Sequence, residues 1–285
     1  MTKGKIILYF LILILILTGG LLYSRYVATT GLVVKEYKIT NKKITSTYTG
    51  LKIVHISDIH YGSTIFKDEL DEIVKKVNIL KPDIVLFTGD LFTDDLINDK
   101  YIKELTNELS KIEAKIGKYA INGNHDYDHE EEFEQIIEKS GFINLNDTYD
   151  VIYNKNNEAM FIAGISTNSY GKLGINDKIE PIMNYLQSEE NKATYNILLL
   201  HEPDFVDDIK YSNFDLVLAG HSHNGQVRLP FIGAIYTPYG SKQYYNEHYK
   251  LKDTDLYISS GLGTSLLKLR LFNKPSFNFY RMSNK

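Results

Sequence analysis

The chain contains no cysteine. Disulfides, thiolate nucleophiles, sulfur-ligated metals and lipid attachment through an N-terminal cysteine are therefore excluded together, and any metal must be held by oxygen and nitrogen. The compartment stays open, because a cytosolic protein and a surface protein that does without disulfides share this absence. An excess of one charge is also missing: 32 Lys and Arg stand against 36 Asp and Glu, a net charge of -4 with a pI near 6.1. The totals thus give no reason to expect nucleic acid or another polyanion as an obligatory partner. Internal repeats, low-complexity tracts and an interdomain linker are absent as well.

What is present is an ordinary globular composition, 43% hydrophobic and 24% charged over 285 residues, together with one long apolar run. Residues 6–24 carry no charge. As a helix this run can cross a hydrocarbon core of about 30 Å. It is apolar on every face instead of amphipathic, which separates it from a buried core helix. It has no Ala-x-Ala cleavage pattern after it and exceeds the signal-peptide core of about 7 to 15 residues, so an uncleaved transmembrane anchor is expected. Lys3 and Lys5 precede the run and Arg25 follows it, which by a small margin places the N-terminus in the cytoplasm. The expected organisation is an anchor with its flank over residues 1–29 and one globular domain over 30–285, single-pass in the cell membrane with the domain extracytoplasmic.

Residues 32–39 and 51–57 read as strands. The spacing of Phe66, Leu70, Ile73, Val74, Val77 and Leu80 predicts a helix over 66–80, which Lys81-Pro82 ends before a strand at 84–87. Helices at 101–112, 133–139 and 179–186 then alternate with strands at 119–121, 161–165 and 197–200, the order of an α/β protein. Strand-like runs at 216–219, 226–229, 256–259, 266–271 and 277–280, with no helix between them, predict a second, more antiparallel sheet. The polar stretch 167–176 reads as a surface loop at the rim of a functional site.

Five apolar runs end in residue types that bind metals. They lead into Asp58-Ile59-His60, Gly89-Asp90, Gly123-Asn124-His125-Asp126, His201 and Gly220-His221-Ser222-His223. An Asn-His-Asp run alone is more often only a turn, because Gly and Asn tolerate unusual backbone angles. In α/β sheets, however, ligands collect beyond the carboxyl ends of strands, where Asp58, His60, Asp90, Asn124, His201, His221 and His223 all fall. Imidazole, carboxylate and amide ligands suit Mn, Fe or Zn, and one group can bridge two ions. Two divalent ions would bring four positive charges, of which Asp58 and Asp90 cancel two, and the excess attracts a phosphate.

In this order, Asp-x-His, Gly-Asp, Gly-Asn-His-Asp, a single His and Gly-His-x-His resemble the calcineurin-like metallophosphoesterase family. The motifs cover about residues 50–226, and Ser260-Gly261-Leu262-Gly263 with Arg270 and Pro275 resembles the tail of a membrane-associated bacterial branch. The resemblance implies an α/β two-sheet sandwich flanked by helices, here preceded by the transmembrane helix. It implies one divalent ion (Mn, Zn or Fe) on Asp58, His60, Asp90 and His223, and a second on Asp90, Asn124, His201 and His221, with Asp90 bridging. A hydroxide shared by the ions would attack phosphorus. The catalytic residues implied are His125, which would stabilise the transition state or protonate the leaving oxygen, and Asp126, which would orient the His125 ring. Asn224 departs from the Gly that similar proteins often have there, which touches only the shape of the pocket floor.

The function implied is binuclear metal-dependent phosphoester hydrolysis, of a phosphodiester or pyrophosphate more than of a simple monoester. The membrane anchor suggests a lipid-linked or envelope-derived phosphate ester as substrate. One rival is a nuclease, which the net charge of -4 and the missing basic stripe disfavour. Another is a non-catalytic binding protein of the same fold, which would be expected to have lost ligands. Plain structural roles serve elsewhere. His55 lies inside a strand, His129 and Glu130 to Glu132 suit a helix start, and Asp94 and Asp95 read as a solvated loop. Tyr236, Tyr239, Tyr244, Tyr245 and Tyr249 read as ordinary aromatic packing, and His248 is assigned no role.

Overall fold

The computed structural model describes residues 2–93, 97–153, 157–167, 174–209 and 211–285. In chain order the strands are β1 (Val33–Thr40), β2 (Lys52–Ile56), β3 (Ile84–Thr88), β4 (Gly117–Ile121), β5 (Ile143–Asn144), β6 (Thr148–Tyr153) and β7 (Ala159–Ile165), followed by β8 (Ala193–Leu200), β9 (Leu216–Ala219), β10 (Arg228–Leu229), β11 (Gly233–Ala234), β12 (His248–Leu251), β13 (Thr254–Ile258) and β14 (Ser276–Ser283). The helices are α1 (Lys3–Tyr26), α2 (Lys67–Leu80), α3 (Asp99–Leu109), α4 (Glu130–Lys139) and α5 (Ile175–Leu186). One six-stranded sheet has the order β1-β14-β2-β3-β4-β5 and the other β12-β13-β9-β8-β7-β6, while β10 and β11 form a short hairpin.

The period of two along each strand sorts side chains into layers. In β3, Val85 and Phe87 join a core with α2, α3 and α4, while Ile84 and Leu86 face the opposite sheet. In β8, Ile197 and Leu199 complete that middle layer, and Leu198 and Leu200 pack with Ile175, Ile179 and Ile182 of α5. Both faces of these strands are covered, which is why they read as nearly continuous apolar runs. The first turn of α2 is tied by Glu69, whose carboxylate accepts the Phe66 N–H at 3.1 Å, and its end is set by Lys81 at φ +50° before Pro82. Within the first sheet β2, β3 and β4 run parallel, and within the second β7, β8 and β9 do, so the carboxyl ends in each set share one edge.

Helix α1 has 24 residues and is long and apolar enough to cross a membrane. At about 1.5 Å per residue it extends roughly 36 Å. Ser24 is its one buried residue: its hydroxyl donates to the Arg270 carbonyl at 2.7 Å, and the Arg270 N–H donates to the Ser24 carbonyl at 3.0 Å.

The last third of the chain does not build a separate antiparallel sheet. β14 inserts between β1 and β2, parallel to one and antiparallel to the other, and β9, β12 and β13 extend the second sheet, with β9 parallel to both β8 and β13. The run 266–271 forms no ladder; the Gln226 side chain takes the Ser265 and Leu267 carbonyls and leaves Leu266 and Leu267 exposed. Asp94, Asp95 and most of the polar stretch 167–176 lie outside the described residues.

Gly164 of β7 packs tightly against the first sheet and the residue after β5, since a Cβ there would lie 2.4 Å from Ile121 Cγ2 and 2.6 Å from the Leu145 carbonyl. Gly164→Ala should destabilise the protein by about 1–3 kcal/mol through overpacking. A thermal unfolding midpoint equal to wild type would contradict this packing.

Candidate metal centre

The strand ends deliver their polar residues within a few positions: β2 gives Asp58 and His60, β3 gives Asp90, β4 gives Asn124 and His125, β8 gives His201, and β9 gives His221 and His223. The backbone bends sharply to do so. Asp58, His60, Asp90, His221 and His223 have φ of 53°, 44°, 58°, 65° and 48°. Such left-handed conformations cost a non-glycine residue on the order of 1–3 kcal/mol and persist where the surroundings over-determine them. Asn224 adopts φ +50°, and Asn takes this region more readily than most residues, which accounts for its standing where Gly is common. Gly123 has no such freedom to change: a Cβ there would lie 2.2 Å from Asp90 Oδ1 and 2.7 Å from His201 Cε1.

Three imidazoles are fixed through one nitrogen by backbone carbonyls, which can only accept. His60 Nδ1 donates to the Phe92 carbonyl at 3.1 Å, His201 Nδ1 to that of Thr88 at 2.6 Å, and His221 Nε2 to that of Tyr239 at 2.7 Å. Carbonyl partners of this kind orient a ligating histidine and turn its other nitrogen toward the centre. His60 Nε2 then lies 3.0 Å from His223 Nε2 and 3.5 Å from Asp90 Oδ2. His201 Nε2 lies 3.2 Å from both Asp90 Oδ1 and Asn124 Oδ1. Asp58 Oδ1 accepts the His221 N–H at 2.9 Å and is 3.5 Å from His223 Nε2, while its Oδ2 is buried with no hydrogen-bond partner among the described residues.

These are converging acceptors, and a buried acceptor without a donor is costly. A cation supplies what they lack. The ligand atoms of Asp58, His60 and His223 lie within 4.8 Å of one another, as do those of Asp90, His201 and His221. The donor set, all oxygen and nitrogen, fits two neighbouring divalent ions. Asp90 stands between the two groups, with one oxygen toward His60 and the other toward His201.

The electrostatics agree with this division. Burial pushes His60 down to about 3 and His223 well below the usual imidazole range, so both present lone pairs at neutral pH. Burial also works against a charge on Asp90, but His201, His125 and His60 outweigh it and hold the carboxyl low. Burial pushes the Asp58 carboxyl up to about 6. For His201 burial favours the neutral ring, yet Asp90 overrides it and carries the imidazole up to about 10. A cation arriving at Asp90 would displace that proton.

His125 sits half-buried at the edge of the cluster, edge-on to His60 with ring centroids 4.7 Å apart. Its N–H donates to Asp90 Oδ1 at 3.0 Å, and its Nε2 lies 3.4 Å from Ser265 Oγ. Asp126 does not take up the orienting role expected from its place beside His125. Its buried carboxylate accepts four backbone N–H groups, those of Asp90, Leu91 and Gly123 at 2.8 Å each and that of Phe92 at 3.2 Å. It joins the β3 and β4 loops.

All seven expected ligands and His125 thus meet in one cluster. His55 lies below it in the sheet, bonded to Thr88 Oγ1 at 2.8 Å; His129 packs against Phe92; His248 pairs with Asp255 at 2.9 Å away from the centre. The carbonyls of Thr88, Phe92 and Tyr239 have no sequence signature. Ser265, beside His125, carried no signal either. Arg270, visible only as part of a tail pattern, is buried and donates to the carbonyls of Ser260, Gly261 and Gly263, behind Asp58. Of the tyrosines, Tyr244 is buried in aromatic packing with Tyr249, whereas Tyr236 and Tyr239 are exposed.

Residues 51–225 match the family described as calcineurin-like phosphoesterase. An uncharacterized metallophosphoesterase of Bacillus subtilis, YkuE, is 29% identical over 268 residues, covering 93% of this chain and 91% of its own. A transmembrane protein with metallophosphoesterase domain from Danio rerio is 29% identical over 253 residues, 85% of this chain and 55% of its own. Among solved structures, GAP50, the anchor in the inner membrane complex of Plasmodium, shares the fold with a TM-score of 0.50 at 12% identity over 80% of each chain. With the matched span enclosing every candidate ligand, the chain belongs to the calcineurin-like phosphoesterase family, and by that membership it is a metal-dependent phosphoester hydrolase.

Proposed function

We propose that the chain hydrolyses a phosphodiester or pyrophosphate at a centre of two divalent ions, acting on a lipid-linked or envelope-derived substrate at a membrane surface. The observation that carries this reading is the carboxylate of Asp90, with one oxygen toward His60 and the other toward His201, between two groups of candidate ligands. Asp58, His60, Asp90 and His223 would hold one ion, and Asp90, Asn124, His201 and His221 the other, with Mn, Zn and Fe all compatible with the donor set. Bound divalent ions supply Lewis acidity to phosphoryl oxygens and acidify water at neutral pH.

The chain's own residues do the rest. Asp58 and Asp90 balance only part of the ionic charge, so an anionic phosphate is drawn in. His125 hangs at the margin of the cluster from its backbone bond to Asp90, where its ring can donate a proton to the leaving oxygen. The preference for a diester or pyrophosphate follows the family resemblance. The membrane setting is supported by the length and apolarity of α1, and a relative described as a transmembrane protein fits it. Residues 30–285 would stand on the extracytoplasmic side as one domain, by the excess of Lys3 and Lys5 over Arg25.

The full chain in detergent, loaded with Mn²⁺ or Zn²⁺, should turn over an activated phosphodiester faster than an activated monoester and stop when chelator is added. A metal-loaded chain inert on both esters would contradict the reading. His125→Ala should keep its metal content by elemental analysis and lose about 10²- to 10⁴-fold in turnover, the range for a proton-transfer group. Metal loss in that variant would remove the distinction between ligand and acid. Asp126→Asn sets an amide NH₂ against backbone N–H groups, and should lower stability by about 1–3 kcal/mol for each buried donor left unpaired. A normal unfolding midpoint with only a shifted pH–rate profile would instead restore the ring-orienting role.

A further inference from the structure

We infer that the rim of the metal centre is itself a membrane-contacting surface. The β10–β11 hairpin tip at Phe231 and Ile232, the segment from Ile235 to Tyr239 and the loop carrying Leu266 and Leu267 enter the anionic headgroup layer of the bilayer that α1 crosses. The inference rests on the reading of α1 as a membrane span and adds to it where the catalytic domain sits.

These segments expose large apolar side chains: Leu266 is 81% exposed, Ile232 72% and Tyr239 70%, with Phe231 fully exposed. Apolar surface gathered in this way marks a binding face. The segments are one unit. Gln226 donates to the carbonyls of Leu267 at 2.8 Å and Ser265 at 3.2 Å, and the Arg228 N–H donates to the Leu271 carbonyl at 3.0 Å, joining the hairpin to the loop.

The unit is fixed to the end of the span. Ser24 and Arg270 exchange two hydrogen bonds, and Ser24 is flanked by the exposed Tyr23 and by Arg25 over the Tyr26 ring. Tyrosine and basic residues at the end of an apolar helix mark the interface, so Arg270 lies at headgroup depth. Leu266, four residues away, cannot lie more than about 14 Å from that level. Basic side chains accompany the apolar ones, with Lys268 exposed beside Leu267 and the Lys242 ammonium 4.9 Å from the Tyr236 ring, which suits an anionic lipid surface.

The same segments form two walls of the metal centre. Ser265 Oγ lies 3.4 Å from His125 Nε2, and the Tyr239 carbonyl holds His221. Walls at this level leave the centre open to a phosphoester whose lipid chain remains in the bilayer.

The lack of native cysteine makes an introduced one unique. The full chain, reconstituted in phosphatidylglycerol–phosphatidylcholine vesicles, would carry an environment-sensitive fluorophore on Phe231→Cys or Leu266→Cys. Leu13→Cys serves as the control within the span. Ile79→Cys serves as the control in the last turn of α2, which leads into the amino end of β3 opposite the centre, where Ile79 is 76% exposed. Nitroxide-bearing lipid should quench the labels at 13, 231 and 266 several-fold more than the label at 79. Quenching at 13 but not at 231 and 266, with both open to aqueous iodide, would overturn the inference while leaving the span intact. Labels at 231 and 266 shielded from lipid and iodide alike would show a protein partner or second copy on this face and overturn it too. No lipid quenching at any position would remove the span and the inference together.

Discussion

The carboxylate of Asp126 fixes the geometry on which the metal centre depends. It is buried between the loops that follow β3 and β4, and its two oxygens accept four backbone N–H groups. Those bonds hold Asp90 in a left-handed conformation that it would not keep alone. With the backbone fixed, the Asp90 side chain has one oxygen for each group of histidines. A residue that touches no ligand atom thus decides whether one carboxylate can serve two ions.

The two sheets cooperate in the same way. The Thr88 carbonyl, at the end of β3, orients His201 at the end of β8, and Asp58 after β2 takes the N–H of His221 after β9. The first sheet therefore holds residues of the second, and separating the sheets would dismantle the centre. The middle apolar layer, with Ile121 against Gly164, sets the spacing that these bonds require. Arg270 extends the network outward: it supports the Ser260–Gly263 turn behind Asp58 and bonds Ser24 at the end of α1, so the centre and the helix share one anchor point.

Much of this was legible because strands buried on both faces read as apolar runs, and because the ligands follow directly after those runs. The order of motifs then resolved which loops converge. Asp126 misled because its sequence neighbour is His125, while its bonded partners are mostly backbone atoms more than 30 residues earlier, where no side-chain type betrays them. The run 277–280 reads as a strand, but the place of β14 in the sheet escaped for a related reason, since it pairs with β1 and β2 more than 200 positions away and nothing local encodes that choice. Leu266 to Leu271 carries the apolar content of a strand but is held as an irregular loop by Gln226.

The shared role of Asp90 is tested most directly by counting metal ions. Wild type, Asp90→Asn, Asp58→Asn and Asn124→Ala would each be loaded with Mn²⁺, freed of excess metal and measured by elemental analysis. If Asp90 serves both ions, its variant should fall well below one ion per chain, while Asp58→Asn and Asn124→Ala should each retain about one of two. An Asp90→Asn chain that retains one ion as firmly as either single-site variant would contradict the bridge.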